Sequence, residues 1–433
     1  MGGVIAVVMF VAAWLLAKGA NLQSAIVLTC GAASFVLVYA YWGDGLAPPV
    51  LWVSIWALSL ALGRIEVWLR STYTADWSAQ LWGAFVGAAL AFTCGSYIAG
   101  KPTGDIRPAP RWSRLRLDFV ILTCFAIGSA TYIYTTIRAG GIQNIPLFSL
   151  RPAQARQEFG VQGTSYFLLL LAAVVPLVTV SVLFLGGWRK NKQNIFLAST
   201  AVFLLLSTAN RAIAMEVLCI SFFAIAIVRG IRWRAVLIGL VVFALIFVAI
   251  GYARQINNAH DQALFSGGSI GIANPILAMA YIYFGTAFTN LQYIFDNIHT
   301  LGYGGVMLRA PLHAFGMEDF IKIPVINWDA WNTTTGLASY YYDFGIAGVI
   351  LFPFVLGIIS GKVYRWCRME PSPFHAILYG IVATSVLASV ETERFFEGTS
   401  LLYIAVTLAT RVYCERRQTA VRIPAGAPIH TAS

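Results

Sequence analysis

Arg211, in the segment STANRAIAME, is the side chain in this sequence best placed to bind an anion within a membrane. The apolar segments 194–208 and 211–228 flank it with almost no loop between them. A helix needs about 20 residues to cross a bilayer, so the short segment 194–208 predicts a turn that lies below the membrane surface. An arginine there costs about 2.5–3.5 kcal/mol unless it faces water or an anion. Glu216, five residues away, is poorly spaced for a helical ion pair with Arg211; the sequence therefore predicts that Arg211 binds substrate and that Glu216 could face the same cavity.

Arg64 and Arg254 lie at the ends of two other apolar segments. In LGRIEVWLR, Glu66 and Arg70 are four residues apart and can pair, which leaves Arg64 with no partner on its own helix. Arg254 follows the apolar segment 233–252, where it either extends towards lipid headgroups or binds substrate. Because guanidinium groups form forked hydrogen bonds to phosphate, both are predicted ligands of a phosphate group.

Arg151 and Arg156 belong to a polar segment, LRPAQARQEFG. Pro152 suits the first turn of a helix and Gly160 suits its end, so Arg151 is predicted to lie at a helix N-terminus. The N-terminus of a helix favours anions. The pair Arg151 and Arg156 is therefore a third predicted anion site.

Group transfer from a phosphate-linked donor to a hydroxyl needs a base in addition to these cations. His313 is the first candidate for this base. The others are His299, Asp343, Glu158 and either Glu391 or Glu393. Each has a structural alternative, because Asp343 could cap a helix, Glu391 and Glu393 could pair with Arg394, and His313 could be an ordinary surface residue. The sequence leaves these alternatives open.

No metal and no cofactor is predicted, because the sequence has no Asp-x-Asp pair, no CxxC motif and no Cys/His cluster with metal-ligand spacing. Arginines could neutralise the developing charge in place of a metal. The net charge of +11 reflects membrane topology more than a basic patch, so nucleic-acid binding is not predicted.

The composition is typical of a membrane protein with several spans, with 59% hydrophobic and 11% charged residues. It predicts an all-α polytopic protein in which residues 1–414 form a single transmembrane domain. About twelve spans are expected, near 2–17, 23–43, 49–69, 79–99, 117–138, 165–187, 194–208, 211–228, 233–252, 345–362, 373–391 and 397–414.

The basic residues predict the orientation of these spans, because Lys and Arg are enriched in short cytoplasmic loops. With both chain ends inside, most of the 29 Lys and Arg residues fall on the cytoplasmic side. Two longer loops, about 139–164 and 253–344, are then periplasmic, and the tail 415–433 is cytoplasmic and disordered. In the second loop, one apolar helical face predicts an amphipathic helix lying at the outer interface, with Leu277, Tyr281, Phe284, Phe288, Leu291 and Phe295 on that face.

The stretch 332–362 reads NTTTGLASYYYDFGIAGVILFPFVLGIISGK. Its Asn/Thr-rich start could cap a helix, and its glycines allow the apolar run Phe344–Gly361 to pack closely against other helices. This order of an Asn/Thr-rich entry, paired tyrosines, DFGxxG and a glycine-containing span resembles the Wzy-type O-antigen polymerases, which polymerise oligosaccharide repeat units. The resemblance extends to the general plan of the whole chain.

The resemblance implies the fold of lipid-sugar-dependent (type C) membrane glycosyltransferases and a site facing the periplasm of a bacterial inner membrane. It implies transfer of a growing glycan from undecaprenyl diphosphate to a new lipid-linked repeat unit, with membrane lipids and a chain-length regulator protein as further partners. The family's functional loop arginines would correspond to Arg151, Arg156, Arg254 and Arg309. The spacing of arginine, ten residues and glycine found in some members is absent here.

Three alternatives stay open at this stage. An O-antigen ligase would use the same donor with a lipid A-core acceptor. A transporter or flippase of lipid-linked oligosaccharides often has paired half-repeats, whereas the long loops here are unequal. An inactive membrane scaffold would leave the outer arginines unexplained.

Overall fold

The computed structural model of the chain describes residues 9, 11–13, 22–64, 77–108, 110, 112–149, 165–208, 211–230, 286–321 and 334–415. Within these residues the longer elements are all helices. They are α1 (Leu22–Trp42), α2 (Pro48–Gly63), α3 (Ala79–Ala99), α4 (Arg114–Arg138), α5 (Leu170–Phe184), α6 (Lys192–Ser207), α7 (Arg211–Arg229), α8 (Thr286–Asn297), α9 (Gly336–Met369), α10 (Pro373–Ala388) and α11 (Gly398–Cys414). Single turns at Ser165–Leu168 and Gly187–Lys190 and a short helix at Arg309–Ala314 complete them, with 3-10 turns at Ile142–Asn144 and Glu318–Phe320.

Six described helical segments are long and apolar enough to cross a membrane: α1, α3, α4, Tyr166–Phe184, Ala212–Arg229 and α9. Three shorter apolar helices, α2, α6 and α10, pack among them. The prediction of an all-α multi-pass membrane protein is thus confirmed. Two predicted spans, 233–252 and most of 2–17, lie outside the described residues, so the number of twelve spans stays a prediction. The predicted loop beyond residue 149 and the predicted tail also lie outside them.

Helix α9 differs most from its prediction. The sequence predicts a span that begins near residue 345, but the helix begins at Gly336 and runs for 34 residues, with Thr335 at its N-cap position. Gly345 interrupts it with φ 62° and ψ −153°, a left-handed conformation that glycine tolerates. The apolar pattern begins only after this kink, so it missed the polar first part of the helix.

Close packing of α3 against α9 forms one core of the bundle. A Cβ atom at Gly357 would lie 2.2 Å from the carbonyl oxygen of Phe92, and one at Gly95 would lie 2.0 Å from that of Phe354. Only hydrogen fits at these positions, so the two backbones touch directly, as small residues allow in membranes. The predicted packing role of Gly357 is confirmed, and a Cβ atom at Gly361 would lie 2.7 Å from the Cβ of Ala99.

Helix α8 belongs to the same core. Phe288 and Leu291 are fully buried, and Phe288 contacts the rings of Trp56 and Trp77. The predicted apolar face therefore exists on the described part of the segment, but it packs against α2 and α3 because these helices supply a matching aromatic surface. Leu277, Tyr281 and Phe284 lie outside the described residues.

Hydrogen bonds between distant segments define two ends of the bundle. At the first, which we call end A, the amide N–H of Gly336 donates to the carbonyl of Ser389 at 2.7 Å, and the Ser78 N–H donates to Gln292 at 2.8 Å. At the opposite end B, the Arg107 N–H donates to the carbonyl of Met369 at 2.7 Å. Helices α1 to α7 run alternately between these ends, and so do α9 to α11, whereas the shorter α8 contacts Ser78 at end A. End A coincides with the side that the sequence predicts to be periplasmic.

Candidate functional site

The loop between α10 and α11, residues 389–397, forms the centre of end A and carries the sequence ETERFFE from Glu391. Two bonds of Ser389 hold it in place. Its carbonyl accepts the N–H of Gly336 at the start of α9, and its hydroxyl accepts the indole N–H of Trp56 on α2 at 2.9 Å. The loop is therefore fixed to two helices that are distant in sequence.

Arg394 in this loop is a half-buried cation between two carboxylates. Its guanidinium donates to Glu397, three residues away, and its Nη1 lies 3.9 Å from Oε2 of Glu216 on α7. Glu391 also acts electrostatically on Arg394. The sequence alternative that paired Arg394 with Glu393 is wrong, because the nearest carboxylate is Glu397 and the carboxylate of Glu393 has other partners.

Glu393 accepts hydrogen bonds from its own loop and from α9. The N–H groups of Phe395 and Phe396 donate to its carboxylate at 2.6 and 3.1 Å, and the hydroxyl of Tyr340 lies 3.4 Å away. Burial raises the pKa of Glu393 from 4.5 to about 7, although these backbone bonds act in the opposite direction. The side chain shapes the loop that presents Arg394.

Glu216 is the most enclosed carboxylate of this group, with 7% of its surface exposed. Its Oε1 lies 3.4 Å from the hydroxyl of Ser400 on α11, a long hydrogen bond. Its Oε2 accepts no hydrogen bond from the residues that the structure describes. A buried charge with so few close partners is uncommon in structural positions and frequent in functional ones.

Arg211 is the first residue of α7, five residues before Glu216. Its backbone therefore lies at end A, on the helix whose next turn reaches Arg394. The side chain of Arg211 lies outside the described part of the chain, so the sequence alternative of a pair between Arg211 and Glu216 stays open, while Arg394 lies beside the same carboxylate. The role of Arg211 in binding substrate stays a prediction.

Arg64 ends α2 with 6% of its surface exposed. It donates to the side chain of Gln23 on α1, and its guanidinium carbon lies 5.0 Å from the ring centre of Trp77. The sequence found no partner for Arg64 on its own helix, and the structure supplies these partners from other elements. Arg151, Arg156 and Arg254 lie outside the described residues.

Asp343 is fully buried and holds a neighbouring turn. Its two carboxylate oxygens accept the N–H groups of Val306 at 3.1 Å and Met307 at 2.7 Å. The alternative in which Asp343 caps a helix is wrong, because α9 begins seven residues earlier at Gly336. The role of Asp343 as a base stays a prediction.

The other two predicted bases lie nearer the surface. His313 is exposed on the short helix Arg309–Ala314. That helix contacts the start of α11, since a Cβ at Gly398 would lie 3.5 Å from the Cβ of Ala310. Glu391 is half-buried and lies near Arg394. End A thus brings Arg394, Glu391 and the helix of His313 together around the start of α11.

Four residues that complete this group were not among the predicted site residues, namely Arg394, Glu397, Ser400 and Tyr403. The signal was present, because an arginine among three glutamates in a seven-residue turn between two spans is unusual in a membrane. The sequence favours local pairing within this turn, because the contribution of Glu216 comes from a helix about 180 residues earlier and has no local signal. Among the described residues, no group of three or more His, Cys, Asp or Glu side chains is placed to hold a metal ion.

Comparison with known protein families identifies the chain. A family model described as "Putative O-antigen polymerase" matches residues 4–395. The chain belongs to this family. The match covers nearly all of the predicted transmembrane domain and includes Arg394. Searches of curated proteins and of solved structures found no significant match.

Family membership supports the resemblance to Wzy-type polymerases and, in general terms, a polysaccharide polymerase. The end A group supplies a cation between carboxylates at one end of the helical bundle. Such an arrangement can bind an anion through Arg394 and accept a proton on a neighbouring carboxylate.

Proposed function

We propose that this O-antigen polymerase family protein transfers a growing glycan from undecaprenyl diphosphate to a new lipid-linked repeat unit at the periplasmic face of a bacterial inner membrane. The observation that carries the proposal is the contact between α7 and the loop 389–397, which joins Glu216 to Arg394. This contact forms a buried site that contains both a cation and a carboxylate at one end of the bundle, in a chain that belongs to a family of polysaccharide polymerases.

The distribution of charge supports the assignment of end A to the periplasm. End B has many described basic residues, among them Lys101, Arg107, Arg114, Arg116, Arg189, Lys190, Arg229, Arg365, Arg368 and Arg411. End A has few, including Arg64, Arg138, Arg211, Arg309 and Arg394. Because cytoplasmic loops are enriched in Lys and Arg, end B is the cytoplasmic end in this proposal.

The proposed reaction uses the arginines to stabilise the departing diphosphate. Arg211 and Arg394 both lie at end A, and guanidinium groups match phosphate oxygens through forked hydrogen bonds. The proposal includes four further ligands of the diphosphate or glycan, namely Arg64, Arg151, Arg156 and Arg254. The candidate bases are His313, Asp343 and Glu391. A chain-length regulator protein is a candidate partner.

Reconstitution tests this proposal. The purified protein is placed in liposomes with an undecaprenyl-diphosphate-linked repeat unit, and products are separated by length on a gel. We expect a ladder of lengthening glycan for the wild type. Arg211→Ala should reduce its formation at least tenfold, because transition-state charge on the diphosphate loses a partner.

Arg138→Ala is the matched control, since Arg138 is an exposed arginine that ends α4 at the same end of the bundle. Its ladder should equal that of the wild type. A single unit that only changes leaflet would mean a transporter and would refute the proposal. Transfer to added lipid A-core without lengthening would identify a ligase instead.

A further inference from the structure

Besides the hydroxyl of Thr399, which acts on Glu216, two buried polar atoms near Arg394 have no close hydrogen-bond partner among the described residues. One is Oε2 of Glu216, and the other is the hydroxyl of Tyr403, whose side chain is 2% exposed. Leaving a buried polar group unsatisfied costs about 1–3 kcal/mol. Two such atoms beside one cation therefore suggest that a polar ligand completes the site.

Both atoms belong to one site between α7 and α11. Ser400, which contacts Glu216, is three residues before Tyr403, so the two side chains lie on the same face of α11. Glu216 and Arg394 both act electrostatically on the Tyr403 hydroxyl. Among the described residues, the charged groups that act on Glu216 are Arg394 and Glu397 from the loop, and the hydroxyls of Thr399 and Ser400 act on it as hydrogen-bond donors.

The chemistry of this site matches a sugar hydroxyl beside an anion. A hydroxyl can donate its proton to Glu216 Oε2 and accept a hydrogen bond from Tyr403. Arg394, with 17% of its side chain exposed, lies between this site and the more exposed Glu397, and it can bind a neighbouring phosphate. A glycan hydroxyl and a diphosphate are the two groups that meet in the proposed reaction.

We propose that Glu216, in place of the candidates His313, Asp343 and Glu391, is the catalytic base that accepts the proton of the attacking sugar hydroxyl. Tyr403 is a positioning residue for this hydroxyl. In this step the hydroxyl oxygen forms a bond to the anomeric carbon of the donor glycan. The bond from that carbon to the diphosphate oxygen breaks, and its electron pair leaves with the undecaprenyl diphosphate. The hydroxyl proton moves to the carboxylate of Glu216. This inference rests on the proposed function.

Glu216→Gln tests the base, because it keeps the shape and the contact with Ser400 but cannot take up the proton. We expect the elongation rate in the liposome assay to fall about 100-fold to 10,000-fold, the range for a lost general base. Glu415→Gln is the control, since Glu415 is a carboxylate paired with Arg411 at 2.9 Å at end B. It should elongate at the wild-type rate.

Chemical rescue separates a base from a structural carboxylate. Formate is small enough to enter the space left by Glu216→Ala and to accept the proton, so the rate of this variant should rise with formate concentration. The unchanged rate of Glu415→Gln in formate controls for salt effects. Thermal unfolding of both Glu216 variants in detergent reports whether they remain folded.

Tyr403→Phe should raise the KM for the acceptor several-fold and leave kcat within about twofold, because a positioning hydroxyl contributes to binding. A Glu216→Gln variant that elongates within threefold of the wild type would overturn the assignment of the base. So would a folded Glu216→Ala variant that formate does not restore. If the wild type forms no ladder, the proposed function fails, and this inference fails with it.

Discussion

At the scale of single residues, two carboxylates at end A, Glu393 and Glu216, differ in their hydrogen-bond partners. Glu393 has backbone N–H donors for its carboxylate, whereas Glu216 has one long hydrogen bond and an ion pair at 3.9 Å. The first environment shapes a loop, and the second leaves an oxygen available for a ligand. Removing Arg394 would leave Glu216 as an uncompensated buried charge, which is strongly destabilising.

Because of Glu393, the free energy of unfolding should decrease as the pH rises. Its pKa rises from 4.5 to about 7 on folding because the carboxyl is buried, so the native state binds more protons than the unfolded state between these values. The stabilisation of the native state by this proton binding is fully present below pH 4.5 and is lost as the pH rises through 7. The loss is on the order of 3 kcal/mol.

Thermal unfolding in detergent between pH 5 and pH 8.5 checks this expectation. The wild type should lose several degrees in Tm across this range, and Glu393→Gln should give a flatter curve because it cannot ionise. Glu415→Gln, at end B, should keep the wild-type slope. An equal slope for Glu393→Gln and wild type would mean that another group sets the pH dependence.

At the scale of elements, α9 connects the parts of end A. Its first part, Gly336 to Phe344, contacts the loop 389–397 through Ser389 and Glu393, and it holds the turn at Val306 through Asp343. After the kink at Gly345, the helix packs against α3. The position of the Arg394 loop therefore depends on the packing of α9 in the core.

Gly357→Val should disrupt this core, because its first added carbon would lie 2.2 Å from the carbonyl oxygen of Phe92, a backbone atom that cannot move aside. Overpacking of this kind costs about 1–3 kcal/mol or more. We expect a lower Tm in detergent and a lower yield of folded protein. Gly83→Val is the control, since no heavy atom lies within 4 Å of a Cβ built there on α3. A Gly357→Val variant as stable as Gly83→Val would contradict the close packing of α3 and α9.

At the scale of the whole molecule, the two ends of the bundle differ in charge and in the nature of their contacts. End B has basic side chains around Asp44, which accepts a hydrogen bond from the hydroxyl of Tyr364 at 2.6 Å and pairs with Arg368. End A has the carboxylates around Arg394. This asymmetry is the physical basis for the proposed orientation in the membrane.

Cysteine labelling tests the orientation. In a background without the six native cysteines, Gln143→Cys at end A and Gln193→Cys at end B place one thiol on each side, both at exposed glutamines. A membrane-impermeant maleimide should label Gln143→Cys in intact spheroplasts. Gln193→Cys should react only after the membrane is opened. The reverse pattern would place the site in the cytoplasm and would exclude a periplasmic lipid-linked substrate.

The sequence by itself determined the class of the protein and most helix positions, because apolar segments of membrane length depend only on local composition. The described helices α3, α4, α7 and α11 lie within a few residues of their predicted spans. The start of α9 was missed, because its first nine residues include polar and aromatic side chains that give no apolar signal.

Only the tertiary structure decided which charges meet. Glu216 and Arg394 are 178 residues apart, and no helical spacing relates them, so their contact follows from the packing of α7 beside α10 and α11. For the same reason, Gln23 and Trp77 were invisible as the partners of Arg64. Local patterns fix what a segment can be, whereas the pairing of buried charges depends on which distant segments share one low-dielectric interior.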